Sequence, residues 1–341
     1  MKPALASFLL LAGMFATGFV QAEDTAATAL LVLSKSDETL GIVDPSNLKV
    51  LARVPVGHDP HEVIASTDGK MAYVSNYGFG AYHTLAVVDL IAQKALPSIE
   101  LGPLRGPHGL DFVDGKVWFT AEAAKAIGSY DPRKKSIDWI LGTGQNRTHM
   151  IYVSPDMHLI VTTNVSSGTV SMIEQTSGIG SGPGNPAATP RADWNETVVP
   201  VGKGSEGFDI SPDGKEIWVA NAGDGTVSII DVASKQVAQT LAADVSSANR
   251  LKFTPDGKFV LISCLRGSDV TVMDAATRKT VKKIAVGHGA AGIVMQPDGA
   301  RAYFACTPDN YVVVIDLHSM EVTGHIQAGQ NPDGLAWVIR H

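Results

Sequence analysis

A turn pair, usually Pro-Asp-Gly, punctuates this chain at Asp68-Gly69, Asp114-Gly115, Asp156, Asp213-Gly214, Asp256-Gly257 and Asp298-Gly299, in steps of 46, 42, 57, 43 and 42 residues. After each turn comes a run such as EIWVANAGDGTVSIIDV from Glu216, KFVLISCLRGSDVTVMDA from Lys258 or RAYFACTPDNYVVVIDL from Arg301. Apolar residues alternate there with small or polar ones, broken by Gly, Asn and Asp, which is the pattern of short antiparallel strands joined by tight turns. Each run closes on an acid: Asp89, Asp131, Glu174, Asp231, Asp274 and Asp316. A unit of about four strands recurring roughly every 40 to 45 residues predicts propeller blades, because one small twisted sheet cannot bury both of its faces alone.

The chain ends fit a closed ring. The last repeat stops at NPDGLAWVIRH, enough for one innermost strand, and the first strands, in ALLVLSKSDETLGIVDPSNLKVLARV from Ala29, lack an opening phrase but close on the same acid, Asp44. Joined, the two fragments make one blade and leave no free sheet edge between first and last repeats. The expected fold is all-β, a seven-bladed β-propeller of four-stranded antiparallel blades closed by N-terminal strands plus a C-terminal strand. It forms a single domain over residues 23–341.

Residues 1–22 carry Lys2, an apolar stretch from Ala4 to Val20 and Val20-Gln21-Ala22 before Glu23. That is the pattern of a secretory signal peptide cleaved after Ala22. No later apolar run reaches the roughly 18 residues of a membrane span. The mature protein is expected to be soluble and periplasmic or secreted. A net charge of −7 argues against general nucleic-acid or anionic-membrane binding, and 45% hydrophobic residues suffice for a core. Two cysteines do not make a disulfide scaffold. Cys264 and Cys306 sit eight residues after their turn aspartates in neighbouring repeats, where buried thiols, a disulfide and soft-metal ligation all remain open.

YVSN at Tyr73, WVANAGDGTVSIIDV in the fourth repeat and the NPDGLAW ending resemble the YVTN family of β-propeller repeats, within the superfamily of lactonase-like seven-bladed propellers. The resemblance runs from about Ala29 to Trp337. It implies the architecture and leaves function broad, since such propellers include surface-layer proteins, periplasmic proteins and relatives of lactonases and streptogramin lyases. The site has to be argued from its residues.

Aligning the opening phrases GHDPHEV, RGPHGL and NRTHMI puts His61, His108 and His149 at one place in three consecutive repeats. The corresponding residues are Glu206, Asn249, Ala291 and, across the closure, Asp333. If the opening phrase starts the innermost strand, these side chains ring one mouth of the central channel. Three imidazoles and the Glu206 carboxylate are suitable ligands for one divalent transition metal, Zn, Cu, Fe or Mn, with a position left for water or substrate. A second ring, eight residues past each turn aspartate, reads Asn76, Glu122, Asn164, Asn221, Cys264 and Cys306, with Ser34 in the closing blade. Glu122 is the one acid among them, a candidate catalytic base, further ligand or partner orienting a histidine. Arg105, Arg147 and Arg250 lie near the opening phrases and could hold a carboxylate or phosphate of a ligand, and Asp333 and Asn249 at the rim are further candidate ligand-binding residues. NYGFGAYHT from Asn76 places Tyr77, Phe79, Tyr82 and His83 near the mouth, either walling a pocket or packing on the next blade.

Other signals are weaker. Gly202-Lys203-Gly204-Ser205-Glu206-Gly207 matches GxGxxG but is followed by the strand-like FDIS rather than a helix, so no dinucleotide site is expected. The Gly/Pro/Ala-rich insertion over residues 175–197 reads as a surface loop, a lid or a docking element. Two functional classes follow. One is a binding or accessory protein for a small-molecule ligand or another envelope protein, acting as a monomer. The other is a metal-dependent hydrolase or lyase of lactonase-like or streptogramin-lyase-like type.

Overall fold

The computed structural model describes residues 27–176 and 193–341. The predicted signal peptide and most of the 175–197 insertion lie outside them. The described residues form seven four-stranded antiparallel sheets arranged as a ring, with two short 3-10 turns as their helical content. Six blades run in chain order: residues 60–100, 107–142, 148–176 with 193–200, 205–242, 248–285 and 290–326 are blades 1 to 6. The seventh is composite, in the order Pro332–Ile339, Thr28–Ser34, Thr39–Asp44, Lys49–Pro55. Its first two strands pair from Thr28↔Ile339 to Ser34↔Pro332, so the termini close the ring as the sequence implied.

The repeated acids hold the turns. Asp44, Asp89, Asp131, Asp231, Asp274 and Asp316 each accept a backbone N–H two or three residues ahead, at 2.7 to 3.0 Å. A short carboxylate satisfies the orphan donors of a turn between the third and outer strands, which explains its recurrence better than any catalytic role.

The core consists of seven apolar layers, one between each pair of neighbouring blades. In the layer between blades 7 and 1, for example, Leu31, Leu33, Leu40 and Ile42 meet Val63, Val74 and Val88. Second strands are almost wholly buried, as in Glu216–Asn221, while outer strands alternate exposed and half-buried residues, as in Ser136–Gly142. Cys264 and Cys306 are free, buried thiols.

Crowding peaks at the axis. Every innermost strand carries a register shift against the second strand at the same place, between Pro60 and Val63, Pro107 and Leu110, Thr148 and Ile151, and so on round the ring. Four of these bulges contain a glycine where neighbouring inner strands touch. A Cβ on Gly109, Gly207, Gly292 or Gly334 would come within 2.5, 2.8, 1.9 or 2.4 Å of a main-chain carbonyl oxygen of the next blade.

Two outcomes test this architecture. A chain ending at Gln330 loses the strand that pairs with Thr28–Ser34 and is expected to lose its cooperative thermal transition by circular dichroism; a melt matching the full chain would refute closure by the termini. Gly292→Ala is expected to cost about 1–3 kcal/mol in urea unfolding through overpacking alone, whereas Gly142→Ala, which meets nothing within 4 Å, should stay near wild type.

Candidate functional site

The bulge that shortens each inner strand also aims its first side chain. His61, His108, His149, Glu206, Asn249, Ala291 and Asp333 all fall inside these register shifts, where a bulge re-aims a side chain. Two residues upstream the backbone is left-handed in six blades, at Asp59, Gly106, Arg147, Gly204, Gly289 and Asn331. The extra backbone N–H of four bulges is taken up by a second-strand hydroxyl: Glu62 by Ser75, Gly109 by Thr120, Met150 by Thr163 and Arg250 by Ser263, at 2.9 to 3.2 Å.

The three histidines converge. Ring centroids of His61 and His108 are 4.7 Å apart and those of His108 and His149 are 3.7 Å apart. Tyr77 packs edge-on against both His61 and His108, at 4.8 and 5.0 Å. Their surroundings differ sharply. His149 Nδ1 donates to Glu122 Oε1 at 2.5 Å, and its Nε2 lies 2.7 Å from Glu206 Oε2. Burial opposes its charge, but Glu206 and Glu122 outweigh it and raise the imidazole above its usual 6.5. Against their own burial, both carboxyls are lowered chiefly by His149, Glu206 to about 2. The Tyr77 hydroxyl donates to the other oxygen of Glu122, and Arg147 Nε lies 3.5 Å from that oxygen.

On the other flank, Lys35 donates to His61 Nε2 at 3.0 Å and lies 3.5 Å from Asp59 and 3.3 Å from Asp333. Asp59 is held at about 2: burial would raise it, but His61 and Lys35 prevail.

Between these charged halves sits His108, 1% exposed. Burial, reinforced by His149 and His61, pushes its pKa well below 6.5, so it is neutral. It makes no hydrogen bond or ion pair among the described residues, and its Nδ1 is a buried polar atom without a partner. His108, Glu122 and His149 offer ligand atoms that all lie within 4.8 Å of one another, a grouping able to hold a metal ion.

The structure corrects the second ring. The turn Asp114-Gly115 is one residue shorter than its counterparts, so Ala121 pairs with Pro107 as Asn76 does with Pro60. Glu122 belongs one position further on, in the series Lys35, Tyr77, Glu122, Val165, Ala222, Leu265 and Thr307. Asn164 and Asn221 instead serve their own blades, donating to the hydroxyls of Thr169, Ser171, Thr226 and Ser228, and Asn76 donates to the carbonyls of Val56 and His58 in the link from blade 7. Lys35 and Asp59 escaped the sequence reading. Aligning blades by strand ends rather than by turn aspartates would have put Lys35 opposite Tyr77.

The remaining candidates are dispersed. Arg105 is exposed and donates to the Ala81 carbonyl at 3.4 Å. Asn249 donates to the Ala291 carbonyl at 3.2 Å. Arg250 spans the channel from blade 5 to pair with Glu62 of blade 1, leaving Nη1 buried and unpartnered. Below that bridge a cavity of about 230 Å³ is lined by Asp111, Tyr152, Asp209 and Lys252 among others. The Arg250–Glu62 pair therefore floors the mouth.

The sign of the Glu206 shift sets a pH dependence. Its carboxyl drops from 4.5 to about 2 on folding, so it contributes stability above pH 4.5 that is lost as pH falls through 2. The urea midpoint of the wild type is expected to fall between those limits more steeply than that of Glu206→Gln; parallel curves would contradict the His149–Glu206 contact.

The family model described as Cytochrome D1 heme domain matches residues 113–300. That is more than half of the chain and includes Glu122, Arg147, His149, Glu206 and Arg250. No curated protein sequence matches. Among solved structures, a putative 6-phosphogluconolactonase from Bacteroides fragilis is 16% identical with a TM-score of 0.74, covering 93% of this chain and 100% of that one. A functionally unknown protein from Desulfotomaculum acetoxidans is 16% identical with a TM-score of 0.72, covering 92% and 99%. Dihydro-heme d1 dehydrogenase NirN in complex with DHE is 15% identical with a TM-score of 0.62, covering 90% and 74%. At these identities the structures bear on fold alone. The sequence match goes further, and by it the chain belongs to the cytochrome D1 heme domain family.

Proposed function

We propose that this propeller is a binding or accessory protein of the cell envelope whose channel mouth takes a metal-bearing ligand of heme type, with His108 as the nitrogen donor. The observation that carries this reading is His108 itself. A buried imidazole without a hydrogen-bond partner costs about 1–3 kcal/mol, and here it is neutral, the form that ligates a metal. Family membership indicates heme as the group, and the donor set suits it. An imidazole is a common axial ligand of heme iron, and Lys35 and Arg147 supply cations for its carboxylates. When bound, the group would supply a redox-active or ligand-binding iron. The chain's own part is to orient that iron through His108, hold a proton on His149 between Glu122 and Glu206, and close the mouth from below with the Arg250–Glu62 bridge.

The YVTN-like repeats fit this reading, since they specify the ring and leave the mouth free to vary. A periplasmic or secreted location suits both the family and the signal-like N-terminus. No described helix is long and apolar enough to cross a membrane.

A second reading has one observation in its favour. The His108, Glu122 and His149 grouping could hold a bare divalent ion that serves a hydrolase or lyase as a Lewis acid. It asks more of the site, because both ring nitrogens of His149 already contact carboxylates and one contact would have to yield.

One titration separates the readings. The full chain, purified without chelator, is expected to take up one equivalent of hemin with a shifted Soret band, and His108→Ala to lose that shift while keeping its thermal transition. Failure of the wild type to bind hemin would overturn the heme reading. Stoichiometric Zn, Mn or Fe that disappears in a His61/His108/His149 triple-alanine variant would establish the bare-ion reading instead.

A further inference from the structure

The loop Gly78–Gly80 above the arc makes two unfavourable choices at once. Phe79 is 83% exposed, the most exposed large apolar side chain among the described residues. Its backbone is left-handed, at φ +50°, a region that a residue with a bulky side chain rarely occupies. Gly78 and Gly80 on either side also have positive φ, at +55° and +88°, so three consecutive residues turn the chain and set the ring outward.

This exposure comes from a fastened loop. The Tyr77 and Gly78 N–H groups donate to the Asp59 carbonyl and carboxylate, at 3.1 and 2.9 Å. Gly80 and Ala81 close short turns onto Tyr77 and Gly78, and Gly106 donates to the Tyr82 carbonyl at 2.8 Å. A Cβ on Gly106 would lie 2.9 Å from the Gly80 Cα, so blade 2 supports the loop directly. The ring it holds up stands 5.4 Å from Tyr77 and 6.5 Å from His61, edge-on to the imidazole. A collapsed hydrophobic side chain would have covered itself; this one is propped beside Tyr77 and His61 at the edge of the histidine arc.

The geometry points to Phe79 as a stacking platform, a specificity-determining residue that lies against one face of a planar conjugated macrocycle seated at the mouth. A bare metal ion would not call for an aromatic face at the mouth. The inference deepens the heme-type reading and rests on it. It assigns face recognition to Phe79, separately from metal recognition by His108, so a macrocycle without metal should still depend on Phe79.

The test uses the full chain and three probes: hemin, metal-free protoporphyrin IX and Co²⁺ alone. Phe79→Ala is expected to weaken both porphyrins about tenfold, the scale of one aromatic contact, and Phe79→Trp to keep wild-type affinity. Co²⁺ uptake should be the same in all three proteins. Wild-type affinity of Phe79→Ala for both porphyrins would overturn the platform while leaving the heme reading standing. A wild-type chain that binds neither porphyrin would overturn both. Weakened binding of hemin together with Co²⁺ would assign Phe79 to the metal site's integrity, and so would also refute a face-specific role.

Discussion

Everything at the channel mouth depends on the pairing of Thr28–Ser34 with Pro332–Ile339. That contact joins residues about three hundred positions apart and turns six self-contained blades into a ring. Without it, blades 1 and 6 would expose the apolar layers that face blade 7, including Val63, Val74 and Val88 on one side and Tyr303, Val312 and Val314 on the other. It also completes the site. Asp333 comes from the last strand and Lys35 follows directly on the strand it pairs with, so one closure brings both groups to His61.

Convergence on an axis explains the unequal treatment of three histidines that occupy equivalent positions. Seven inner strands leave little room, so each arc side chain is largely surrounded by the arc residues of its neighbours and the groups just outside them. His149 lies beside blade 4, whose arc residue is Glu206, and beside Glu122, and both carboxylates favour its charged form. His61 lies beside blade 7, whose arc residue is Asp333, and accepts from Lys35. His108 has imidazoles on both sides, and no carboxylate contacts it. Burial and the positive charge of His149 then act in the same direction to keep it neutral. The order of residues around the ring thus sets the protonation pattern across it.

The ring was legible in the sequence because its determinants are local and repeated: turn aspartates recur in six blades, and small second-strand residues and apolar runs in every blade. The histidine arc was legible for the same reason, since each member sits at a fixed offset within an opening phrase. The second ring was not. Counting from the turn placed Glu122 beside Asn76 and Asn164, but blade 2 shortens that turn by one residue, and a one-residue slip moves a side chain to the other face of a strand. Glu122 stands out in the sequence only as an acid among amides and thiols. Lys35 was missed because the closing blade has no turn aspartate to count from, and the Arg250–Glu62 bridge because contacts across the channel leave no periodic trace.

The same distinction governs what the repeat can and cannot specify. Repeated features, the Asx turns and the axial glycines, are answers to problems every blade shares: orphan N–H groups and crowded carbonyls. Function must lie where a blade departs from that shared solution. Blade 1 departs most, inserting Tyr77-Gly78-Phe79-Gly80 where blade 3 has Val165-Ser166 and blade 4 has Ala222-Gly223. Blade 2 departs by placing an acid where its neighbours carry an aromatic or an apolar residue. These departures adjoin His61, His108 and His149, whereas the opposite arc, Asn249 and Ala291, carries no imidazole. The asymmetry of the mouth is therefore itself an argument for a ligand that engages blades 1 to 4, because a channel rim that only organised water would have no reason to concentrate its exceptions on one side.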